Sequence, residues 1–158
     1  MTIPIRTTGI AVVVLRERAH RVDVLLIKRD SATLNEAWTY IGGGIEAGEK
    51  AYETAIREIK EETGLIPLSL YTSNTFDQFY DPVKNWIYLA PVFVAYVADS
   101  AEVRLNNEHS EYRWLTFEDA KSRLSIPGTE DVLSFIEDHF VYKKPKNFLR
   151  IEVEECSL

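Results

Sequence analysis

Three glutamates in the middle of the chain, Glu58, Glu61 and Glu62, have the spacing of a carboxylate cluster on one side of a helix. Residues three and four apart are neighbours on a helix surface. Repulsion between Glu58 and Glu62 should cost about 0.2–0.5 kcal/mol, and the helix C-terminus disfavours anions by about 0.3–1 kcal/mol. A divalent cation would reverse both penalties. Oxygen ligands without a Cys or His cluster favour Mg²⁺, with Mn²⁺ as a substitute, over zinc.

The helix that would carry these carboxylates is predicted from about Ala47 to Thr63. Gly64 stands where a left-handed C-terminal cap is wanted, and Pro67 prevents continuation. The residues of the buried face recur at a spacing of three and four: Tyr52, Ala55, Ile56 and Ile59.

A solvated acidic helix face is the ordinary alternative for such a run of charge. Two neighbouring features favour a metal site instead. Arg57 lies four residues from Glu53 and eight from Glu49, so either carboxylate is able to hold it. The glycines 42–44 let the preceding loop bring its backbone close to a metal ion.

The run from Gly43 to Leu65 fits the pattern G-x5-E-x7-R-E-U-x-E-E-x-G-U at every fixed position, where U is aliphatic. It resembles the Nudix box. The resemblance implies a Mg²⁺-dependent hydrolase that cuts nucleoside diphosphates linked to another group. It also implies the Nudix fold, an α/β/α sandwich with a mixed β-sheet and a loop-helix-loop formed by the box.

The resemblance also implies roles for individual residues. Glu58 and Glu62 would be the principal metal ligands, Glu61 a further ligand, and the carbonyl of Gly42 a backbone ligand. The expected catalytic set is Glu61, Glu108 and Arg57, with Arg57 locking helix and loop together rather than performing chemistry. Structural support of the box falls to Glu49, Gly43 and Gly64.

A carboxylate outside the box is expected to complete the metal cluster or to take a proton from water. Glu108 is the prediction, because it lies in a polar loop where functional residues concentrate. It also begins a Glu-His-x-x-Tyr-Arg-Trp run that looks like related pyrophosphohydrolases. Glu111 is the second choice, ahead of Glu102, and a solvent-exposed Glu108 without a role is the alternative.

Four residues are candidates for binding the substrate. Arg29 is the better candidate for a phosphate contact, because the family often places an arginine there, and Lys28 is the second. The aromatic side chains of Phe79 and Tyr80 are able to stack on a base or pterin ring, although packing is the commoner role of aromatic residues in strands.

The loop before the box has Ile41 where the commonest Nudix form has proline. With the run 108–115, this is similar to dihydroneopterin triphosphate and dATP pyrophosphohydrolases, and implies release of a monophosphate and pyrophosphate. Two alternatives stay open: a dinucleoside polyphosphate, nucleotide-sugar or ADP-ribose hydrolase, and a noncatalytic nucleotide-binding regulator. Tyr80 and Pro82 lie 15 and 17 positions beyond the box, a spacing too loose to decide.

Composition predicts one small enzyme domain over residues 1–158. A formal charge of −7 argues against long nucleic acid as a partner. No apolar run approaches the roughly 20 residues of a membrane span. A small phosphorylated substrate, a cytoplasmic location and no membrane partner are therefore expected, with a homodimer left open. Cys156, the single cysteine, is interpreted as an incidental thiol.

Alternating and continuous apolar runs predict the remaining elements. Gly9 to Leu15 and Val22 to Ile27 should form a hairpin around a turn at residues 16–21. Further strands are expected at Leu68 to Tyr80, at Trp86 to Val97 in a central position, and at Tyr112 to Leu115. Helices should run from the capping box at Thr116 to about Leu124 and from Gly128 to about Phe140, and the tail from Lys143 is a strand or a disordered end.

Overall fold

A mixed sheet forms the centre of the protein. The structure is a computed structural model and describes residues 1–153. Its strands in this part of the chain are β1 (Ile5–Arg6), β2 (Gly9–Arg18), β3 (Arg21–Arg29), β4 (Trp38–Thr39), β5 (Ile41–Gly44), β6 (Ser69–Asp81), β7 (Trp86–Val97), β8 (His109–Leu115) and β9 (Arg150–Ile151). The main order is β4, β3, β2, β7, β6, β9, with β1 on β7, β5 on β2 and β8 on β3.

Strand β2 connects the two halves of the sheet. It runs antiparallel to β3, with Leu15 opposite Val24, and parallel to β7, with Ala11 opposite Val92. The prediction that β7 is a central strand is confirmed, because β2 and β6 flank it. Strand β8 pairs antiparallel with β3, which brings the segment after residue 108 to the edge beside the predicted site.

Three α-helices lie in the described part of the chain: α1 (Ala51–Thr63), α2 (Phe117–Arg123) and α3 (Thr129–Phe140). Helix α1 begins at Ala51, so the predicted start near Ala47 was wrong. Gly48 has φ 84°, a left-handed conformation that interrupts the helix, and Lys50 is the N-cap. The predicted end is confirmed, since Gly64 is left-handed at φ 72° and its N–H donates to the carbonyl of Lys60.

Alternation along the strands divides the core between the two faces of the sheet. One cluster, the α1-side core, joins Ile10, Val12 and Val14 of β2 to Ala55 and Ile59 of the helix. The other, the α3-side core, packs the remaining face against both later helices through Ala11, Val13, Leu15, Tyr40, Phe117, Leu133 and Ile136. Helices therefore cover both faces of a mixed sheet, and the predicted α/β/α Nudix architecture is confirmed.

The strands are longer than the apolar runs from which they were predicted. The hairpin continues to Arg18 and resumes at Arg21, because Arg16 donates to the buried carboxylate of Asp23 at 3.2 Å across the strands. Strand β8 starts at His109 rather than Tyr112, since His109 pairs with Arg29 beyond a bulge at Ser110 in β8. The short strands β4 and β5 were missed in the loop before the box.

The end of the described chain folds back on the sheet. A short 3₁₀ helix at Asn147–Leu149 leads into β9, which pairs with β6, so the strand alternative holds for this part of the tail. Cys156 lies outside the described residues. In residues 1–153 no helix combines the length and apolar character needed to cross a membrane.

Candidate metal and phosphate site

The site is formed where strand β5 faces helix α1. Strand β5 pairs with β2 from Gly44 opposite Gly9 to Ile41 opposite Val12, which fixes the glycine loop on the sheet. A Cβ atom added at Gly43 would overlap the carboxyl group of Glu58. The loop backbone and this carboxylate are therefore in direct contact only because residue 43 lacks a side chain.

The guanidinium of Arg57 joins the helix to the loop. Its Nε and Nη2 donate to Oε2 and Oε1 of Glu49 at 2.7 and 2.9 Å, and Nη2 also donates to the carbonyl of Gly44 at 2.8 Å. The hydrogen bond from Arg57 is the main reason that the pKa of Glu49 falls to about 2. Of the two predicted partners, Glu49 holds Arg57, whereas Glu53 accepts a hydrogen bond from the Lys50 backbone N–H.

The same arginine holds two of the predicted metal ligands. Its Nη1 donates to Oε1 of Glu58 at 2.8 Å and to Oε2 of Glu61 at 3.2 Å. The side chain of Glu61 is 55% exposed and that of Glu58 is 13% exposed. Arg57 therefore contacts carboxylates that lie at different depths, and its role as a lock of the site stays a prediction.

Glu62 is the most deeply placed carboxylate of the three. The residue is only 5% exposed, and its Oε2 has no hydrogen-bond partner in residues 1–153. Burial, followed by the charges of Glu58 and Glu108, raises the pKa of Glu62 to about 8. A buried acceptor without a partner is costly, so this oxygen has the character of a ligand atom.

Burial also raises the pKa of Glu58, while the hydrogen bond from Arg57 opposes the shift. The charges of Glu61 and Glu108 raise this pKa further. The repulsion predicted among the box carboxylates is thus present. Repulsion raises the pKa of these carboxyls less than burial does. The spacing of the glutamates in the sequence does not reveal this burial.

The residues fit a hard divalent cation by their chemistry. Glu62 offers a buried oxygen without a partner in residues 1–153, Gly43 leaves room for Glu58, and the carboxylates and loop carbonyls at the site are oxygen ligands of the kind that hard cations prefer. Among residues 1–153, however, no three His, Cys, Asp or Glu side chains lie in a ready metal cluster. The hydrogen bonds from Arg57 to Glu58 and Glu61 account for this, because they direct those carboxylates toward the guanidinium.

Two carboxylates outside the box were predicted as alternatives. Glu108 is exposed, and its charge acts on both Glu58 and Glu62. Glu111 is also exposed but pairs in register with Lys28, and its charge is absent from the causes that shift either box carboxylate. Glu102 pairs with the exposed Arg104 at 3.7 Å. The electrostatic environment favours Glu108, whose role stays a prediction.

His109 lies beside the buried glutamate and was not predicted as a site residue. Its side chain is 3% exposed, its Nδ1 is 3.0 Å from Oδ1 of Asn106, and its Nε2 is 4.0 Å from Oε1 of Glu62. Burial lowers the pKa of His109, with a further contribution from Arg29. In the sequence, its position next to Glu108 was the only indication that His109 lies at the site.

The two predicted phosphate-binding residues end strand β3. Arg29 is close enough to Glu62 for its charge to lower the pKa of that carboxyl, against the larger effect of burial. Its Nε donates to the carbonyl of Thr33 at 2.9 Å and its Nη2 to Ser31 Oγ at 3.1 Å. Lys28 is half-buried and pairs with Trp38 and Glu111. Arg29, rather than Lys28, lies beside the carboxylates.

The predicted aromatic contacts lie farther along the sheet. Phe79 stacks on Tyr88, with ring centroids 5.0 Å apart, and is 57% exposed. The hydroxyl of Tyr80 donates to Asn85 at 2.7 Å near the end of the β6–β7 hairpin. Successive side chains of a strand point to opposite faces, so the structure does not bring Phe79 and Tyr80 together.

A cavity of about 130 Å³ adjoins the site and contains residues that sequence analysis did not single out. Arg29 and Gly42 line its end toward the box, and Tyr40 and Asp77 also line it. The hydroxyl of Tyr40 donates to Oδ1 of Asp77. Thirty-seven positions separate the two residues, and no local motif connects them, so the pairing leaves no signal in the sequence.

The contact at Gly43 gives a first prediction. Gly43→Ala should displace the Glu58 carboxylate and lower kcat by at least about tenfold, since a misplacement of 1 Å is able to cost about 100-fold. Gly44→Ala is the matched control, because its added Cβ would meet only the Thr8 carbonyl at 3.9 Å. Equal kcat values in the two folded variants would contradict close contact between loop and carboxylate.

These features define a Nudix box held on a Nudix sandwich. The NUDIX domain family matches residues 5–138, and the chain belongs to this family. The predicted family membership is therefore confirmed, together with the fold. The match includes the glycine loop, helix α1, strand β8 and most of α3.

Two relatives show how far the sequence similarity extends. The chain is 35% identical over 89 residues to "Nucleoside triphosphatase NudI" of Escherichia coli, covering 52% of this chain and 63% of the relative. It is 31% identical over 131 residues to "Octanoyltransferase" of Myxococcus xanthus, covering 82% of this chain but 36% of the relative. The chain thus spans less than two thirds of either relative.

The fold is also similar to a solved structure from the predicted branch of the family. The E. coli dihydroneopterin triphosphate pyrophosphohydrolase aligns with a TM-score of 0.67 and 20% identity. The alignment covers 89% of this chain and 99% of that structure. At this identity the likeness concerns the fold.

Proposed function

We propose that this protein is a Mg²⁺-dependent pyrophosphohydrolase that converts a nucleoside or pterin triphosphate into a monophosphate and pyrophosphate. The observation that carries the proposal is Glu62, a buried carboxylate with an unpartnered oxygen beside Glu58 and the glycine loop. The relative named as a nucleoside triphosphatase supports the choice of a triphosphate.

The metal would be held by residues of this site. Glu58 and Glu62 are the proposed principal ligands, with Glu61, Glu108 and the Gly42 carbonyl as further ligands. A Mg²⁺ ion held there, or Mn²⁺ in its place, would supply positive charge to neutralise phosphate oxygens and to activate water. Arg57 and Glu49 keep the helix carboxylates and the loop in register through the hydrogen bonds described above.

Other residues would bind and orient the substrate. Arg29 lines the cavity and its charge acts on Glu62, which supports the proposal that its guanidinium binds phosphate oxygens. Glu108 would accept a proton from the attacking water. The water oxygen forms a new bond to phosphorus, the bond between phosphorus and the bridging anhydride oxygen breaks, and pyrophosphate leaves.

A panel of phosphorylated metabolites, assayed with Mg²⁺ in ¹⁸O-labelled water, tests this proposal. It should contain nucleoside triphosphates, dinucleoside polyphosphates, ADP-ribose and nucleotide sugars. A triphosphatase of the proposed type gives pyrophosphate and a monophosphate, and the position of the label shows which phosphorus was attacked. Preferred cleavage of a dinucleotide or sugar substrate, or binding without turnover, would overturn the proposal.

The role of Glu108 gives a prediction with a matched control, Glu111, three residues further along the chain. Glu108→Gln should lower kcat by at least about tenfold, as expected for a positioned proton acceptor or metal ligand, with folding stability little changed because the residue is exposed. Glu111→Gln should leave kcat close to that of the wild type. The reverse pattern in steady-state kinetics would identify Glu111 as the site carboxylate.

A further inference from the structure

The cavity beside the box is suited to a flat ring rather than to the phosphates alone. Its volume is about 130 Å³, close to the roughly 150 Å³ of an apolar cavity that holds one benzene ring, so it has room for one six-membered ring of a base rather than for a whole bicyclic base. Leu124 and Ile126, which follow helix α2, and Leu34 contribute apolar side chains to its lining. Arg29 and Gly42 lie in the same lining, so a ligand in the cavity is continuous with the box.

The polar side chains in the lining are those of Arg29, Thr39, Thr129 and a hydrogen-bonded pair, Tyr40 and Asp77. Tyr40 is 5% exposed and its hydroxyl donates to Oδ1 of Asp77. This is the hydrogen bond that the Asp77 carboxyl makes with residues 1–153, so its Oδ2 remains available as an acceptor. Asp77 lines the cavity from strand β6, where it pairs with Ala90 on β7.

The orientation of this carboxylate is fixed. A tyrosine hydroxyl bonded to one carboxylate oxygen leaves the other oxygen with a defined direction, and a buried acceptor discriminates strongly among ligands. Burial raises the pKa of Asp77 and the hydrogen bond from Tyr40 opposes that shift, and in its ionised form the carboxylate makes this end of the cavity negative. Such an end attracts N–H groups and repels carbonyl oxygens.

We infer that Asp77, oriented by Tyr40, is a specificity-determining residue that selects rings carrying adjacent N–H donors. The edge with a ring N–H beside an exocyclic amine is common to guanine and pterin. Uracil and thymine place carbonyl oxygens on both sides of their ring N–H, which the carboxylate would repel. The inference rests on the proposed function for its class of ligand, a phosphorylated ring compound.

Binding of the monophosphate-level ligands separates this inference from catalysis. Dissociation constants for GMP, neopterin monophosphate (neopterin below) and UMP are measured by NMR titration in EDTA, so that no metal contributes and each ligand carries one phosphate. The wild-type protein should bind GMP or neopterin at least about tenfold more tightly than UMP, and the preferred one of the two identifies the ring. A ratio below about threefold for both would overturn the inference, whatever the variants show.

Three variants identify the residue responsible. Asp77→Asn should reduce the preference to below about threefold, and Tyr40→Phe should weaken GMP or neopterin binding severalfold without affecting UMP. Asp138→Asn, an exposed change of the same kind on helix α3, should match the wild type. If Asp77→Asn fails to fold, Tyr40→Phe and the wild-type ratio still decide. An unchanged preference in a folded Asp77→Asn protein would contradict the assignment.

Turnover of dGTP and dTTP, measured in parallel with Mg²⁺, distinguishes the two proposals. Equal turnover of both, together with equal binding of GMP, neopterin and UMP, would overturn the assignment of Asp77 and leave the hydrolase proposal standing. Selective binding without any turnover would support the assignment and overturn the hydrolase proposal.

Discussion

Glu62→Gln is expected to lower kcat by at least about 100-fold while the protein remains folded. Glu62 supplies the buried oxygen without a partner, and replacement of residues that merely support metal ligands already costs about 10–100-fold. Steady-state kinetics at saturating Mg²⁺, with circular dichroism as a check of folding, measures the effect. Glu118→Gln, an exposed glutamate on α2, is the control and should retain wild-type turnover.

Although Glu62→Gln should lower activity, it should raise the free energy of unfolding of the metal-free protein. The pKa of Glu62 is raised from 4.5 to about 8, so the folded protein retains a proton that the unfolded chain has lost. In EDTA the free energy of unfolding of the wild type should therefore fall as pH rises from about 4.5 to about 8. Glu62→Gln removes this slope and should stabilise the protein by about 1–3 kcal/mol above pH 8.

A folded Glu62→Gln protein with near-normal turnover would eliminate the proposed metal site. A steep loss of stability persisting in that variant over the same pH range would assign the titration to another group. The two readouts are independent, since one concerns the loaded enzyme and the other the metal-free protein.

Arg57→Lys is expected to lower kcat by about 10–100-fold, although the positive charge is retained. A lysine ammonium lacks the planar fork with which Arg57 reaches Glu49, the Gly44 carbonyl and Glu58 at once. Loss of these hydrogen bonds should also lower the free energy of unfolding by about 1–3 kcal/mol. Kinetics and urea unfolding provide the measurements, and Arg104→Lys, an exposed arginine, is the control.

A double-mutant cycle makes the test of Arg57 sharper. If Arg57 acts through Glu49, the effects of Arg57→Lys and Glu49→Gln on kcat will be strongly non-additive. Additive effects would show that the two residues act separately, and would contradict the role of Arg57 as a lock between helix and loop.

The fold was predictable where the sequence is locally periodic. Helix α1, its Gly64 cap and the central strand β7 follow from apolar spacing over a dozen residues, and the end of α1 needed no tertiary information. The start of α1 was harder, because Gly48 interrupts a segment that otherwise looks helical. The left-handed backbone at Gly48 delays the start of the helix, although the residues from Ala47 onward have a helical pattern.

The sequence predicts which residues make up the candidate site, but not how deeply each of them is buried. The spacing of Glu58, Glu61 and Glu62 identifies the cluster, yet it does not tell that Glu62 is buried and Glu61 exposed. Burial depends on which strands pass over the helix end, and His109 comes from strand β8. The contact between Tyr40 and Asp77 joins residues from β6 and the short segment between β4 and β5, so no pattern in either segment indicates it.

The division of the core into two faces has an evolutionary consequence. The box carboxylates belong to α1, which packs on one face, whereas Tyr40 belongs to the α3-side core on the other, and its neighbour Ile41 belongs to the α1-side core. On the proposed role of Asp77, substitutions around Asp77, Leu124 and Ile126 would redirect ring preference while the phosphate chemistry stays intact. The glycine loop after Ile41 is where the two parts of the site meet.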